Sequence, residues 1–132
     1  MSMLVLEPDD AIRRSLCEWL RVEAPGWSIS EAASKEEAVH IAETESPRII
    51  LIDIASPGRD DLTAIQEIKA AAPRSAIVAL VMYDDEVYRR NLASAGASAS
   101  LLIWRTHRSL LTTIGGLLNV GQAESACSLK SL

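Results

Sequence analysis

The chain has 132 residues, 48% hydrophobic and 23% charged, with 13 Lys and Arg against 18 Asp and Glu and a net charge of −5. That length suits one domain with a buried core, and the acidic balance argues against nucleic-acid binding, which needs a basic stripe to neutralise phosphates. Cys17 and Cys127 have neither metal nor redox spacing, no signal-peptide pattern opens the chain, and no apolar run approaches the roughly 18 residues that span a membrane, so the expected setting is cytoplasmic with reduced thiols.

Met3-Leu4-Val5-Leu6 predicts a short buried strand that ends at Glu7-Pro8-Asp9-Asp10. Asp9 or Asp10 is placed to cap the next helix by accepting its free first-turn amide protons. Ile12, Leu16, Trp19 and Leu20 give that helix an apolar stripe, and Pro25-Gly26 ends it. Trp27 to Ser30 predicts a second strand. Ser34-Lys35-Glu36-Glu37 forms a capping box before a helix whose inner face is Ala38, Ile41 and Ala42, and Pro47 stops it. Ile49-Ile50-Leu51-Ile52-Asp53 is the strongest strand signal, apolar on both faces as a central parallel strand must be.

Ser56-Pro57-Gly58 predicts a loop, and Asp60 or Asp61 caps a third helix with Leu62, Ile65 and Ile68 inward, ending at Pro73. Ala76 to Met82 is the fourth strand. Asp84-Asp85 opens a fourth helix with Val87, Leu92 and Ala95 inward, closed by Gly96. Leu101 to Trp104 is the fifth strand, and Thr106 begins a last helix carrying Leu110, Leu111, Ile114, Leu117 and Leu118. Residues 1–119 then form one domain and 120–132 a small, polar, frayed tail.

Five strands alternating with helices predict an α/β fold, a doubly wound five-stranded parallel sheet in a three-layer α/β/α sandwich. In such sheets the functional crevice lies at the carboxyl ends of the strands, and Glu7 and Asp53 each end a strand. Carboxylates gathered at one rim repel unless a cation or proton intervenes. A hard ion such as Mg²⁺ relieves that repulsion, and an aspartate beside it can attack a phosphoryl group. Asp9, Asp10, Asp60 and Asp61 read as helix caps. Asp53 instead puts a charge at the edge of the core, a cost that points to a use. His40 and His107 read as surface residues, and no Ser/His/Asp or Cys/His set meets the acids, so the chain reads as a non-enzyme.

These segments together resemble the receiver domain of bacterial two-component response regulators over residues 3 to about 118. Val5-Leu6-Glu7-Pro8-Asp9-Asp10-Ala11-Ile12-Arg13 is similar to the family's acidic first loop, and Ile50-Leu51-Ile52-Asp53 to the strand bearing its phosphoacceptor. Ser56-Pro57-Gly58-Arg59-Asp60-Asp61-Leu62 resembles the loop after it. Tyr83-Asp84-Asp85-Glu86 and Ala95-Gly96-Ala97-Ser98 resemble the segments around the fourth helix. The resemblance implies a flavodoxin-like strand order 2-1-3-4-5, Asp53 as phosphoacceptor, Mg²⁺ held by Glu7 and Asp53, and a histidine kinase or other signalling protein as partner. It also implies a homodimer or partner surface on the fourth helix, fifth strand and fifth helix, here Tyr88, Leu101, Trp104 and Leu111.

Four positions depart from the family pattern. Pro8 stands where the direct Mg²⁺ ligand belongs and has no side-chain oxygen. Val81 replaces the hydroxyl residue of the fourth strand. Ile103 takes the place of the lysine of the fifth, with Arg105 two residues on, and Ser100 that of the switch aromatic. A two-residue shift keeps the face but moves a charge about 6–7 Å. The expectation is an atypical receiver that signals mainly through protein contacts, with Asp53 a remnant phosphoacceptor. The alternative is a conventional phosphoacceptor in which Asp9 or Asp10 helps to hold Mg²⁺. An enzyme on the same scaffold is a third reading, without support from any residue set.

Overall fold

The computed structural model describes residues 1–54, 61–102 and 106–120, the side chains of 106–108 and 119–120 excepted. The elements are β1 (Ser2–Leu6), α1 (Asp10–Glu23), β2 (Ser28–Ala32), α2 (Lys35–Glu45), β3 (Ile49–Ile54), α3 (Asp61–Ala71), β4 (Ala76–Val81), α4 (Glu86–Ala95), β5 (Ala99–Leu102) and α5 (Thr106–Val120). All pairings are parallel, in the order β2-β1-β3-β4-β5, which is the predicted doubly wound sheet.

The side-chain period of two divides the sheet into two apolar faces. Leu4 and Leu6 of β1, Ile50, Ile52 and Ile54 of β3, and Ile77, Ala79 and Val81 of β4 join residues of α2, α3 and α4 in one buried cluster. Met3, Val5, Ile49, Leu51, Val78 and Leu80 join Cys17 and Leu20 of α1 and Leu110 and Ile114 of α5 in the other. With no Phe in the chain, aliphatic side chains fill most of both layers, with Trp19 and Trp27 packed against one and Tyr88 against the other.

The helix starts follow local chemistry. Asp9 Oδ1 accepts from the Ile12 amide at 2.9 Å and so caps α1. Ser34 Oγ accepts from the Glu37 amide at 3.2 Å, which makes the first arm of the capping box, while the Glu37 side chain accepts from the Ala33 amide at 2.9 Å, one residue before the cap. Asp85 caps α4 through the Tyr88 amide.

Several expectations need correction. Ile12 is 49% exposed, because the first turn of α1 turns Arg13 inward in its place, while Leu16, Trp19 and Leu20 pack inward as predicted, joined by Cys17. Val87 is 66% exposed, since α4 turns Tyr88, Leu92 and Ala95 inward instead. β2 begins at Ser28 and runs to Ala32, in register with β1 from Ser2↔Ser28 to Leu6↔Ala32. Trp27 stays in the preceding turn, its amide donating to the Ala24 carbonyl. β4 stops at Val81, one residue short of Met82. β5 is Ala99–Leu102, paired from Val78↔Ala99 to Val81↔Leu102, rather than starting at Leu101. Ser56-Pro57-Gly58, Asp60, Ile103, Trp104, Arg105, the His107 side chain, Cys127 and the tail lie outside the described residues.

Candidate functional site: a carboxyl pair at the carboxyl end of the sheet

The register of β1 and β3 runs from Met3↔Ile49 to Leu6↔Ile52, so the next rung sets Glu7 beside Asp53. Both share the odd-numbered face of Val5 and Leu51, and alternation therefore brings the two carboxyls together at the rim. The Glu7 amide donates to the Ala32 carbonyl of β2 at 3.1 Å, which holds the residue in line although β1 has ended.

Glu7 is 4% exposed. Its Oε1 and the Oδ1 of Asp53 are both buried without a partner among the described residues. Two ionised carboxylates offer only acceptors, so a single proton shared between them lets Glu7 donate to Asp53. Burial first, then this hydrogen bond to Asp53, pushes the Glu7 carboxyl up from 4.5 to about 8, while the Asp9 amide, at 3.2 Å from Oε2, pulls the other way.

The remaining acids of the first loop are engaged elsewhere. Asp9 caps α1, and Asp10 Oδ1 accepts from Arg13 at 2.6 Å. Arg13 also donates to the Glu7 carbonyl at 2.7 Å and to Glu31 at 3.2 Å, and Arg21 reaches the other oxygen of Glu31 at 3.2 Å. One guanidinium thus ties the carbonyl of a pair member, the start of α1 and the end of β2 together. Hydrogen bonding to Asp10 first, and to Glu31 as well, raises the Arg13 pKa further.

Toward β4, Asp53 pairs with Leu80 and Ile54 with Val81. Leu80 and Val81 are buried, and neither carries a hydroxyl. Ser100 of β5 pairs with Ala79 and lines a small recess of about 150 Å³ with Val81, Asp84, Arg89 and Leu101. On the other side, a cleft of about 310 Å³ opens over Asp53 and Ile52, edged by Pro8, Ser34, Lys35 and Asp61. Lys35 pairs with Glu67 at 2.8 Å. The Tyr88 hydroxyl donates to Asp61 Oδ2 at 3.2 Å, joining α4 to the first turn of α3, and burial, then the Asp61 charge, pushes the tyrosine up to about 12.

Receiver domains commonly bind Mg²⁺. Here the described residues offer such an ion two carboxylates, one of which holds a proton near neutral pH. No third His, Cys, Asp or Glu gathers with them among the described residues. Pro8 contributes no oxygen. Mg²⁺ is commonly held by one or two carboxylates and keeps several waters, so Glu7 and Asp53, each with a buried oxygen that has no partner among the described residues, are the residues that would hold it.

Sequence reasoning brought Glu7 and Asp53 together and placed Pro8 and Val81 next to them. Of the surface residues it picked, Tyr88 is half-buried with its hydroxyl turned to Asp61, Leu101 packs partly against the second core cluster, and Leu111 is partly exposed. It missed Arg13, whose spacing of three to Asp10 on a helix was the available signal. It also missed the Tyr88–Asp61 bond, whose partners lie 27 residues apart with no local signature.

Comparison with known proteins agrees with this architecture. The family model described as "Response regulator receiver domain" matches residues 3–114. The transcriptional regulatory protein PdtaR of Mycobacterium tuberculosis is 36% identical over 103 residues, covering 76% of this chain and 48% of that protein. A cyclic di-GMP phosphodiesterase of Thermotoga maritima is 29% identical over 97 residues, 74% of this chain and 25% of that one. Among solved structures, a CheY-like receiver domain protein from Methanospirillum hungatei superposes with a TM-score of 0.79 at 24% identity, covering 93% of this chain and 97% of that one. A Burkholderia pseudomallei response regulator, solved with a phosphorylated aspartic acid, does so at 0.74 and 23% identity, covering 96% and 74%. At those identities the structures speak for the fold alone. The chain belongs to the response regulator receiver domain family and is a receiver domain of two-component signal transduction. It spans about half the length, or less, of these curated relatives.

Proposed function

We propose that this receiver domain works mainly through protein–protein contacts, with Asp53 a remnant phosphoacceptor that takes up a phosphoryl group slowly or not at all. The observation that carries the reading is the aliphatic closure beside Asp53. Leu80 and Val81 stand on β4 where a phosphoryl oxygen needs a hydroxyl donor. Phosphoryl transfer depends on positioning and charge neutralisation, and three further features weaken both. Pro8 supplies no metal ligand, Asp9 and Asp10 are held by α1 and Arg13, and burial raises the Glu7 carboxyl to about 8, so a cation there would have to displace its proton. Ile103 in place of the family lysine, and Ser100 in place of its switch aromatic, extend the same pattern.

Receiver domains interact with histidine kinases and other signalling proteins, and the partner here is of that kind. Met82, Tyr83, Val87 and Leu111 are exposed apolar side chains at the end of β4, on α4 and on α5. They support a homodimer or partner surface there, with Tyr88 and Leu101 at its edge. We assign no nucleic-acid binding and no catalysis to residues 1–119, a polar tail to 120–132, and a cytoplasmic setting. Among the described residues no helix is long and apolar enough to cross a membrane. Relatives named as enzymes match over a quarter of their length or less.

A second reading, conventional phosphorylation of Asp53 by a histidine kinase, draws on the cleft over Asp53, where Ser34 and Lys35 bring a hydroxyl and an ammonium to the opposite side. Incubation with Mg²⁺ and acetyl phosphate, followed by intact mass, separates the two. The first reading expects no adduct on a folded sample. An adduct lost in Asp53→Asn establishes the second.

A further inference from the structure

The amino end of the sheet, far from the carboxyl pair, holds a cleft of about 810 Å³. Arg48 enters it from the turn before β3, Lys69 from α3 and Arg74 from the turn before β4, while Leu117 and Leu118 of α5 form an apolar wall. Among the described residues no carboxylate lines it, although the chain has 18 acids and a net charge of −5.

Four of the other described arginines are engaged. Arg13, Arg21, Arg89 and Arg90 each pair with a carboxylate. Arg48 and Arg74 are exposed and have no ion pair among the described residues, so their guanidiniums keep all their donors for a ligand. Lys69 is set in place. Its Nζ donates to the Ser75 carbonyl at 2.7 Å, and its stem lies so close to Gly96 that a Cβ there would sit 3.0 Å from Lys69 Cγ. Gly96 also has a φ of +128°, which side chains rarely adopt, so one glycine both closes α4 and leaves a channel for the lysine. Two ammonium protons remain for a ligand. Ser98 Oγ accepts from the Ile77 amide at 3.3 Å, which leaves its hydroxyl proton to donate into the cleft.

Three cations from separate elements, a free hydroxyl and an adjoining apolar wall define a ligand. We propose that this cleft binds a small phosphate-bearing molecule with a flat apolar part, a nucleotide-class anion, with its phosphates on Arg48, Lys69 and Arg74 and its apolar part on Leu117 and Leu118. The fork geometry of guanidinium matches phosphate oxygens, and the cleft falls within the roughly 300–1,000 Å³ of small-molecule sites. The site stands apart from Asp53 and does not depend on whether that residue is phosphorylated.

The test is a titration of ¹⁵N-labelled protein with ADP, with inorganic pyrophosphate as a parallel probe. Saturable amide shifts at Ser46, Arg48, Lys69 and Ser98 are expected, with the Glu7 and Asp53 signals unmoved. The double variant Arg48→Ala, Arg74→Ala should weaken ADP by about tenfold or more while keeping its melting temperature. Pyrophosphate should bind more weakly than ADP. No saturable shift at millimolar ADP, shifts centred on the carboxyl end, or a double variant that binds like the parent would each overturn the assignment. Pyrophosphate binding as tightly as ADP would overturn the role of the leucine wall.

Discussion

The two halves of the sheet rim were treated differently. In the β1–β3 half the acids remain, and neighbours hold them in detail: the Ala32 carbonyl takes the Glu7 amide, Arg13 takes the Glu7 carbonyl, and burial beside Asp53 pushes the Glu7 carboxyl up to about 8. In the β4–β5 half the strands keep register, but Leu80, Val81 and Leu102 are aliphatic, and the nearby polar groups Ser100, Asp84 and Arg89 line a small recess with Val81 and Leu102. The core is indifferent to this loss, because a valine packs at the end of a buried strand at least as well as a threonine. The receiver fold thus tolerates aliphatic residues at the β4 end of this rim, while Glu7 and Asp53 stay side by side at the other.

The contrast can be broken most strongly at Glu7. Its carboxyl is raised from 4.5 to about 8 in the folded chain. Between those values the native state binds more protons than the unfolded state, so stability falls as pH rises through that window and levels off above it. Glu7→Gln keeps a donor to Asp53 and removes the titration. Urea unfolding should show the variant gaining a few kcal/mol over the parent at pH 8.5 and almost nothing at pH 4. A flat difference between the two pH values would count against the buried proton.

Arg13→Ala comes next, since it frees the Glu7 carbonyl, Asp10 and Glu31 at once. A loss of about 2 kcal/mol in urea midpoint stability is expected. Arg21→Ala, which touches Glu31 alone from a more exposed position, should cost under about 1 kcal/mol. Tyr88→Phe removes the bond from α4 to Asp61 and should cost about 1 kcal/mol. Amide exchange in that variant should rise at the start of α3 and in α4, and spare β1.

The smallest expected effect sharpens the comparison from the other side. Pro8→Asp adds a third carboxylate beside Glu7 and Asp53. Millimolar Mg²⁺ should then raise the melting temperature of the variant, by mass action on the folded state, and leave the parent unmoved. An equal rise in the parent would mean that the two carboxylates hold the ion unaided.

The alternation of apolar runs and capped helices made the strand order and both core layers legible. Glu7 and Asp53 sit at matching ends of strands, and the register brings them side by side as expected. Helix phase was harder: α1 admits Arg13 inward because two strand-end groups, the Glu7 carbonyl and the Glu31 carboxylate, receive its guanidinium, and that displaces Ile12 to the surface. β2 and β5 shifted for a related reason. Their limits follow pairing with β1 and β4 rather than their own apolar content, so Trp27 lies outside β2 while Glu31, a charged residue, lies within it. Repulsion between the two acids was legible in the chain, but the size of the upward shift of the Glu7 carboxyl was not, since it arises from burial and cross-strand proximity together.

A ¹³C carboxyl titration of Glu7 tests the central claim directly. The account predicts a midpoint near about 8, little changed by millimolar Mg²⁺ and brought down in Asp53→Asn. A midpoint close to the ordinary 4.5, or one that Mg²⁺ pulls down in the parent, would mean that the pair is an ionised cation site, and the proton-bearing pocket would have to be abandoned.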